Sequence, residues 1–274
     1  MHIFCQNMEE FYTNREGRKL FVRREGEGET ILLIHGAMVD ADFYADLSKI
    51  LSRRYQVITY DRRAYSRSED CEDASLTSQV EDAAELLKAY GSGRAVVVGC
   101  SAGALIALKL AERYPELVRR TYIDEAPLIF FSDALNEEEK QWLSEMSELV
   151  DAGKVRKALM KFIIVFASIP DPHARILPPE MVDQQMKNGN VYIAREYPEQ
   201  FRLREDFYDW EQLAQRDIVW LIGDTSKDLY AAKTTKAAAA RLDQSVFCIG
   251  GGHNAARDLP EEFACFLCGH LQLH

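Results

Sequence analysis

The sequence predicts an α/β fold: a mostly parallel central sheet with helices on both faces and an inserted α-helical lid. Two patterns point to it. Short apolar runs without polar alternation, as in Ile31–Ile34, Val57–Tyr60 and Val96–Val98, alternate with amphipathic helical stretches, which is the pattern of parallel strands buried on both faces. Between about residue 130 and residue 210 this alternation stops and only helical periodicity remains, so the insertion falls there. The expected division is a core of residues 1–128 and 211–274, with the lid at 129–210.

The chain is expected to open with a β-hairpin, because Phe11–Thr13 and Leu20–Arg24 flank Asn14-Arg15-Glu16-Gly17-Arg18. The strand Ile31–Ile34 runs into His35-Gly36-Ala37-Met38, and Phe43, Leu47, Ile50 and Leu51 mark the apolar face of the next helix. Val57–Tyr60 ends in Asp61-Arg62-Arg63-Ala64-Tyr65-Ser66-Arg67-Ser68, followed by a helix over Leu76–Tyr90. Val118–Ile123 is the next strand and stops at Asp124-Glu125-Ala126-Pro127.

Helices are expected at Asn136–Val150, Lys154–Phe166, Glu180–Lys187 and Tyr192–Phe201, separated by Gly153, Pro170-Asp171-Pro172 and Pro178-Pro179. Their aromatic and methionine residues, Phe162, Phe166, Met160 and Met186 among them, serve helix packing, and some line a pocket if the insertion covers the site. The α/β pattern resumes with a strand over Asp217–Gly223, a helix over Leu229–Leu242, the strand Val246–Ile249, the loop Gly250-Gly251-Gly252-His253-Asn254 and a last helix over Leu259–Leu271.

The chemistry centres on Gly99-Cys100-Ser101-Ala102-Gly103. A β-branched run precedes it and an Ala/Leu-rich run follows it, so Ser101 sits on a sharp strand-to-helix turn in strained backbone, with glycines where a side chain would collide. A serine hydroxyl is a poor nucleophile at neutral pH and needs a base, and the base needs a group that fixes its tautomer. His253 lies on a glycine loop just past the last strand, a position from which it can reach the serine.

Order and motifs together resemble the α/β-hydrolase superfamily over nearly the whole chain. The resemblance implies Ser101 as nucleophile and His253 as base. It also implies an oxyanion hole from the backbone N–H groups of Ala102 and Ala37, or of Gly36 or Met38 after a small shift. His35 is expected to be a structural turn residue, and Ala64 stands where the superfamily usually has glycine. The superfamily's commonest acid position falls on Ser226, which cannot be an anion. Its other location, the end of the strand after the nucleophile helix, holds Glu125 in a setting similar to that of zearalenone-type lactone hydrolases, which also carry Gly-Cys-Ser-x-Gly. Glu125 is therefore the expected acid, with Asp228 and Asp224 as alternatives. An N-cap role suffices to explain Asp228, and Asp124 should point to the other face of its strand end.

The expected activity is hydrolysis of a small carboxylic ester or lactone through an acyl-enzyme, with no metal or organic cofactor. Two rivals stand beside it. One is a C–C hydrolase or lyase with extra polar groups such as Arg195 or Lys161 at the substrate; the other is a ligand-binding protein with little turnover. The expected partner is a small molecule with an apolar portion, and a homodimer is compatible with the sequence. A formal net charge of −11 argues against nucleic acid and anionic membrane. Without a leader-like opening or a long apolar run, and with six scattered cysteines that suit reduced thiols, a cytoplasmic location is expected. Cys265 and Cys268 are expected to be buried or half-buried in the last helix.

Overall fold

The computed structural model describes residues 8–15 and 18–272; the turn expected at Glu16-Gly17, and with it His2, Cys5 and His274, lies outside them. Strand β1 (Met8–Arg15) pairs antiparallel with β2 (Arg18–Glu25), Arg15 opposite Arg18. Strand β3 (Thr30–Ile34) is followed by helix α1 (Ala45–Leu51), β4 (Gln56–Tyr60), α2 (Leu76–Tyr90), β5 (Ala95–Cys100), α3 (Ala102–Arg113) and β6 (Val118–Asp124). With β7 (Ile218–Gly223) and β8 (Val246–Ile249) from the last part of the chain, these strands form one eight-stranded sheet, β1-β2-β4-β3-β5-β6-β7-β8, in which β3 to β8 run parallel.

Chain order reverses between β3 and β5, because β4 lies on one side of β3 and β5 on the other. In open α/β sheets the crevice beyond the carboxyl ends of such strands is where ligands bind. Here those ends carry His35–Met38 and Ser101.

The two faces of the sheet bury separate cores. Leu32, Val97, Ile123 and Trp220 pack under α2 and α3, while Leu33, Val98, Tyr122 and Leu221 pack under α1 and the C-terminal helices. Successive side chains alternate faces, so a strand covered on both sides is apolar throughout. Helix α2 shows how local sequence meets this demand. Ser75 caps its first turn through the Ser78 N–H, Leu76, Val80, Ala83, Ala84 and Leu87 form one buried stripe, and the chain leaves the helix at Gly91.

After β6 the chain forms α4 (Glu137–Asp151), α5 (Val155–Ala167) and α6 (Pro179–Val191), passes through a π-helical turn at Tyr192–Glu196, and continues into α7 (Tyr197–Arg202). Helix α4 starts on a reciprocal capping box between Asn136 and Glu139. The separate helices expected at 180–187 and 192–201 are one continuous run. Gly189 does not break it, since its missing side chain admits Leu159, whose Cδ1 would lie 2.6 Å from an added Cβ. The π turn accommodates Pro198, which has no N–H to donate; the Tyr197 N–H reaches back to the carbonyl of Tyr192.

The chain returns through α8 (Trp210–Leu213) to β7 (Ile218–Gly223), α9 (Tyr230–Arg241), β8 (Val246–Ile249), α10 (Ala255–Asp258) and α11 (Pro260–Gln272). Tyr208, Trp210 and Leu213 already belong to the core under α2 and α3. No helix among the described residues is long and apolar enough to cross a membrane. Cys268 is half-buried as expected, but Cys265 is exposed, because it falls on the outward face of α11.

One buried ion pair ties the inserted helices to the sheet. Arg62, after β4, donates to Glu196 of the π turn at 2.8 Å, and both side chains are buried. Removing one partner of such a pair strands a buried charge, which costs about 3–5 kcal/mol. Glu196→Ala is therefore expected to lower the unfolding free energy in urea titrations by about 3 kcal/mol. Asp206→Ala, which breaks the exposed pair with Arg204, should leave the midpoint unchanged.

Candidate active site

Ser101 stands at the end of β5 with φ 53° and ψ −122°, a conformation that L-residues rarely adopt. The turn is held by the Ser101 N–H donating to the Asp124 carbonyl at 2.8 Å. The glycines permit the close approach: a Cβ on Gly103 would lie 2.3 Å from the Ile34 carbonyl oxygen, and one on Gly99 would lie 2.4 Å from that of Gly103. Strain of this kind persists only where its surroundings over-determine it. Glu125, directly after β6, has the same positive φ (49°), and so does Met38 (φ 66°) in the turn that follows β3, four residues beyond its end.

His253 follows β8 on its glycine loop. The loop is braced by the Gly251 N–H donating to Asp224 Oδ1 (2.9 Å) and the Gly252 N–H donating to Asp171 Oδ2 (3.0 Å). The imidazole lies against Phe166, with ring centres 4.9 Å apart, and its Nδ1 meets Glu125 Oε2 at 2.5 Å. Glu125 is fully buried, and its Oε1 accepts from the Gly223 N–H at 2.8 Å and from Ser226 Oγ. Three donors thus converge on one carboxylate, an arrangement that suits an anion and orients the histidine. Ser226, at the position where an acid is commonest, instead holds the acid that comes from β6. Sequence reasoning excluded it as an anion and did not see this role.

Neither alternative acid meets His253. Asp224 is exposed and braces the loop; Asp228 is exposed too. The N-cap expected of Asp228 belongs to Leu229, because α9 begins one residue later, at Tyr230. Asp124 turns from His253 to Cys100, and its Oδ2 has no hydrogen-bond partner. Burial and the adjoining Glu125 carboxylate raise the Asp124 carboxyl well above the ordinary range, while burial and Asp124 push the Cys100 thiol up.

Around Gly36 the backbone is fixed from behind. The Gly36 carbonyl accepts from His35 Nδ1 and from Arg62 Nη2, each at 2.9 Å; His35 Nε2 accepts the Arg62 N–H at 3.0 Å, which assigns the ring proton to Nδ1. His35 is fully buried, and burial together with the Arg62 cation depresses its pKa well below the usual value, so it is a neutral turn residue. In a trans peptide the C=O and N–H point in opposite directions, so anchoring the Gly36 carbonyl sets the direction of the Ala37 N–H. Ala102 is the first residue of α3, where backbone N–H groups have no intrahelical acceptor. Ala64 lies at φ 65°, the left-handed region that a glycine would occupy more easily.

Ser101, His253, Gly36, Ala37 and Met38 line one cavity of about 360 Å3. Of the aromatic and methionine residues in the insertion, Phe162 and Phe166 reach it, while Met146 and Tyr192 pack inside the insertion and Met160 faces outward. No Ser101–His253 hydrogen bond forms among the described residues; in unliganded sites such contacts are often long and tighten around substrate. Arg195 and Lys161 do not reach the cavity. Arg195 pairs with Asp70 and Lys161 pairs with Glu145. Among the described residues no group of three or more His, Cys, Asp or Glu side chains could hold a metal.

A strained serine and a histidine–carboxylate pair at one end of a parallel sheet define a hydrolase of the α/β class. The model of the alpha/beta hydrolase fold family matches residues 29–255, and the chain belongs to that family. It is 26% identical over 253 residues to a 2-(acetamidomethylene)succinate hydrolase of Mesorhizobium japonicum, across 89% of this chain and 87% of that protein. It is 38% identical over 105 residues to an uncharacterized hydrolase, YraK, of Bacillus subtilis, a match that spans 37% of this chain and only 39% of the relative. Among solved structures, one titled Est816 as an N-acyl homoserine lactone degrading enzyme superimposes with TM-score 0.71 at 18% identity, covering 94% of this chain and 99% of that one.

The contacts of the two carboxyl groups predict different variants. With a p-nitrophenyl ester as substrate, Glu125→Gln should lower kcat by about 10³-fold or more, as expected when a base loses the group that fixes its tautomer. Asp228→Asn should leave kcat unchanged, and Asp224→Asn should cost no more than the loss of a loop brace. Asp124→Asn should keep kcat but change the pH dependence of stability. The folded chain binds this proton more tightly than the unfolded chain, so its stabilisation is complete below the ordinary carboxylate range and is lost as pH rises through the folded value. The melting temperature of Asp124→Asn relative to the parent should therefore rise between pH 4 and pH 8; a constant difference would contradict the assignment.

Proposed function

We propose that this hydrolase cleaves a small carboxylic ester or lactone by acyl transfer. Ser101 attacks the carbonyl carbon as His253 takes its proton. The tetrahedral intermediate collapses when His253 returns that proton to the leaving oxygen; water then attacks the acyl-serine with His253 again as base. Glu125 holds Nδ1–H, fixing the tautomer in which Nε2 faces the serine and stabilising the imidazolium that forms. The N–H groups of Ala37 and Ala102 receive the developing oxyanion, and their preorganisation supplies the stabilisation.

The observation that carries this reading is the 2.5 Å contact of His253 with Glu125 at the wall of the cavity that Ser101 also lines. The anchored Gly36–Ala37 peptide supports the oxyanion assignment, and the apolar lining, with Phe162, Ile163, Phe166 and Leu177, favours a substrate with an apolar portion. Helices within residues 129–210 act as the lid, since α5 supplies Phe162 and Phe166. Arg195 and Lys161, the polar groups named for a C–C hydrolase or lyase, pair with Asp70 and Glu145 away from the cavity lining, which favours the ester reading.

Labelling with a fluorophosphonate, read by intact mass and peptide mapping, tests the proposal. One adduct on Ser101 is expected in the folded protein, with none in Ser101→Ala. A folded protein that takes no label at Ser101, or an ester hydrolysis that survives Ser101→Ala, would reject it.

A further inference from the structure

Among the described residues the cavity has one guanidinium or ammonium cation, and it is already matched. Arg257 and Asp258, which close α10 just after His253, both line it. Arg257 Nε donates to Asp258 Oδ1 at 2.8 Å and Nη2 donates to Oδ2 at 3.1 Å, a side-on fork between neighbouring residues. The pair is sheltered: the Asp258 side chain is 1% exposed and that of Arg257 12%. The Arg175 N–H also approaches Asp258 Oδ1 at 3.4 Å, and the guanidinium carbon lies 5.8 Å from the centre of the Phe43 ring. The other charged lining residue, Asp171, is a carboxylate held by the His253 loop.

Two consequences follow. The summed charge of these groups is not positive, so a carboxylate entering the cavity would lose hydration without meeting an unpaired cation, and would face Asp171 and Asp258. The guanidinium nevertheless keeps N–H groups that Asp258 does not use and that have no partner among the described residues. An uncharged acceptor, a carbonyl or ether oxygen, can take such a hydrogen bond with no charge to balance.

Resting on the serine-hydrolase reading, we propose that the Arg257–Asp258 pair is the polar end of the substrate site. It selects uncharged esters or lactones that carry a second oxygen acceptor away from the scissile carbonyl, and it excludes substrates with a carboxylate there. Asp258 sets this preference by cancelling the charge of Arg257. The preferred substrate therefore differs in charge from the succinate derivative for which the relative of similar length is named.

Three p-nitrophenyl esters with acyl chains of matched length test the proposal: the heptanoate, the hydrogen adipate, which is an anion, and the methyl adipate, which is neutral and bears a remote carbonyl. The methyl adipate should exceed the hydrogen adipate in kcat/KM by about 30-fold or more, and the heptanoate by a few-fold, the size expected of one neutral hydrogen bond to an otherwise apolar ligand. Asp258→Asn, which frees the cation, should narrow the gap between the two adipates at least tenfold. The double variant Arg257→Gln/Asp258→Asn, which removes cation and counter-ion together, should restore it. A parent enzyme that hydrolyses the two adipates alike, or an Asp258→Asn protein that folds with the gap unchanged, would overturn the proposal while leaving the serine reading intact if Ser101 still takes the phosphonate. Should Ser101 take no label and none of the esters turn over, both would fall together.

Discussion

The Glu125 carboxylate is the point on which the ends of three parallel strands depend. It comes from the end of β6, accepts the Gly223 N–H from the end of β7 and Ser226 Oγ just beyond it, and meets His253 from the loop after β8. A buried carboxylate is costly unless donors surround it, and here every donor also fixes a different piece of chain. The left-handed backbone at Glu125 belongs to the same arrangement, since the residue must leave its strand sharply to meet these partners. Its neighbour Asp124 shows the converse: one residue earlier, with an oxygen lacking any partner, burial favours the neutral acid.

A second buried charge serves the other side of the cavity. Arg62 reaches Glu196 in the π turn of the insertion, Gln79 on α2 and the Gly36 carbonyl behind the turn after β3. One guanidinium thereby connects the inserted helices with the peptide whose N–H direction the oxyanion assignment requires. The spread of its donors in a fixed plane makes this possible, and a lysine could not copy it. The π turn that precedes Pro198 carries Glu196, so a backbone irregularity and a buried charge belong to one feature.

Much of the fold was legible because its signals are local. Apolar runs gave the strands of the parallel part of the sheet, and Gly99 and Gly103 marked the tight turn at Ser101. The glycines before His253 marked its loop, and the strand end at Asp124-Glu125 was readable with Ser226 in the more usual acid position. What the sequence did not disclose depends on contacts between distant segments. Ser226 meets Glu125 across 101 positions and Arg62 meets Glu196 across 134. Which of the insertion's aromatic residues face the cavity is decided by how α5 rotates onto the core, so Phe162 and Phe166 could not be told from Met160 by residue type. That Gly189 is a packing site was not readable either, because its significance lies in Leu159, thirty residues away.

The central claim is that Glu125 and His253 act as one unit on Ser101. A double-mutant cycle in kcat/KM for ester hydrolysis addresses it most directly, using Glu125→Gln, His253→Gln and the double variant, each checked for folding by its thermal transition. Residues that act as a unit are strongly non-additive. The account predicts that the double variant is no slower than the slower single variant. Losses that multiply, each substitution lowering the rate by its own full factor, would show that Glu125 does not work through His253.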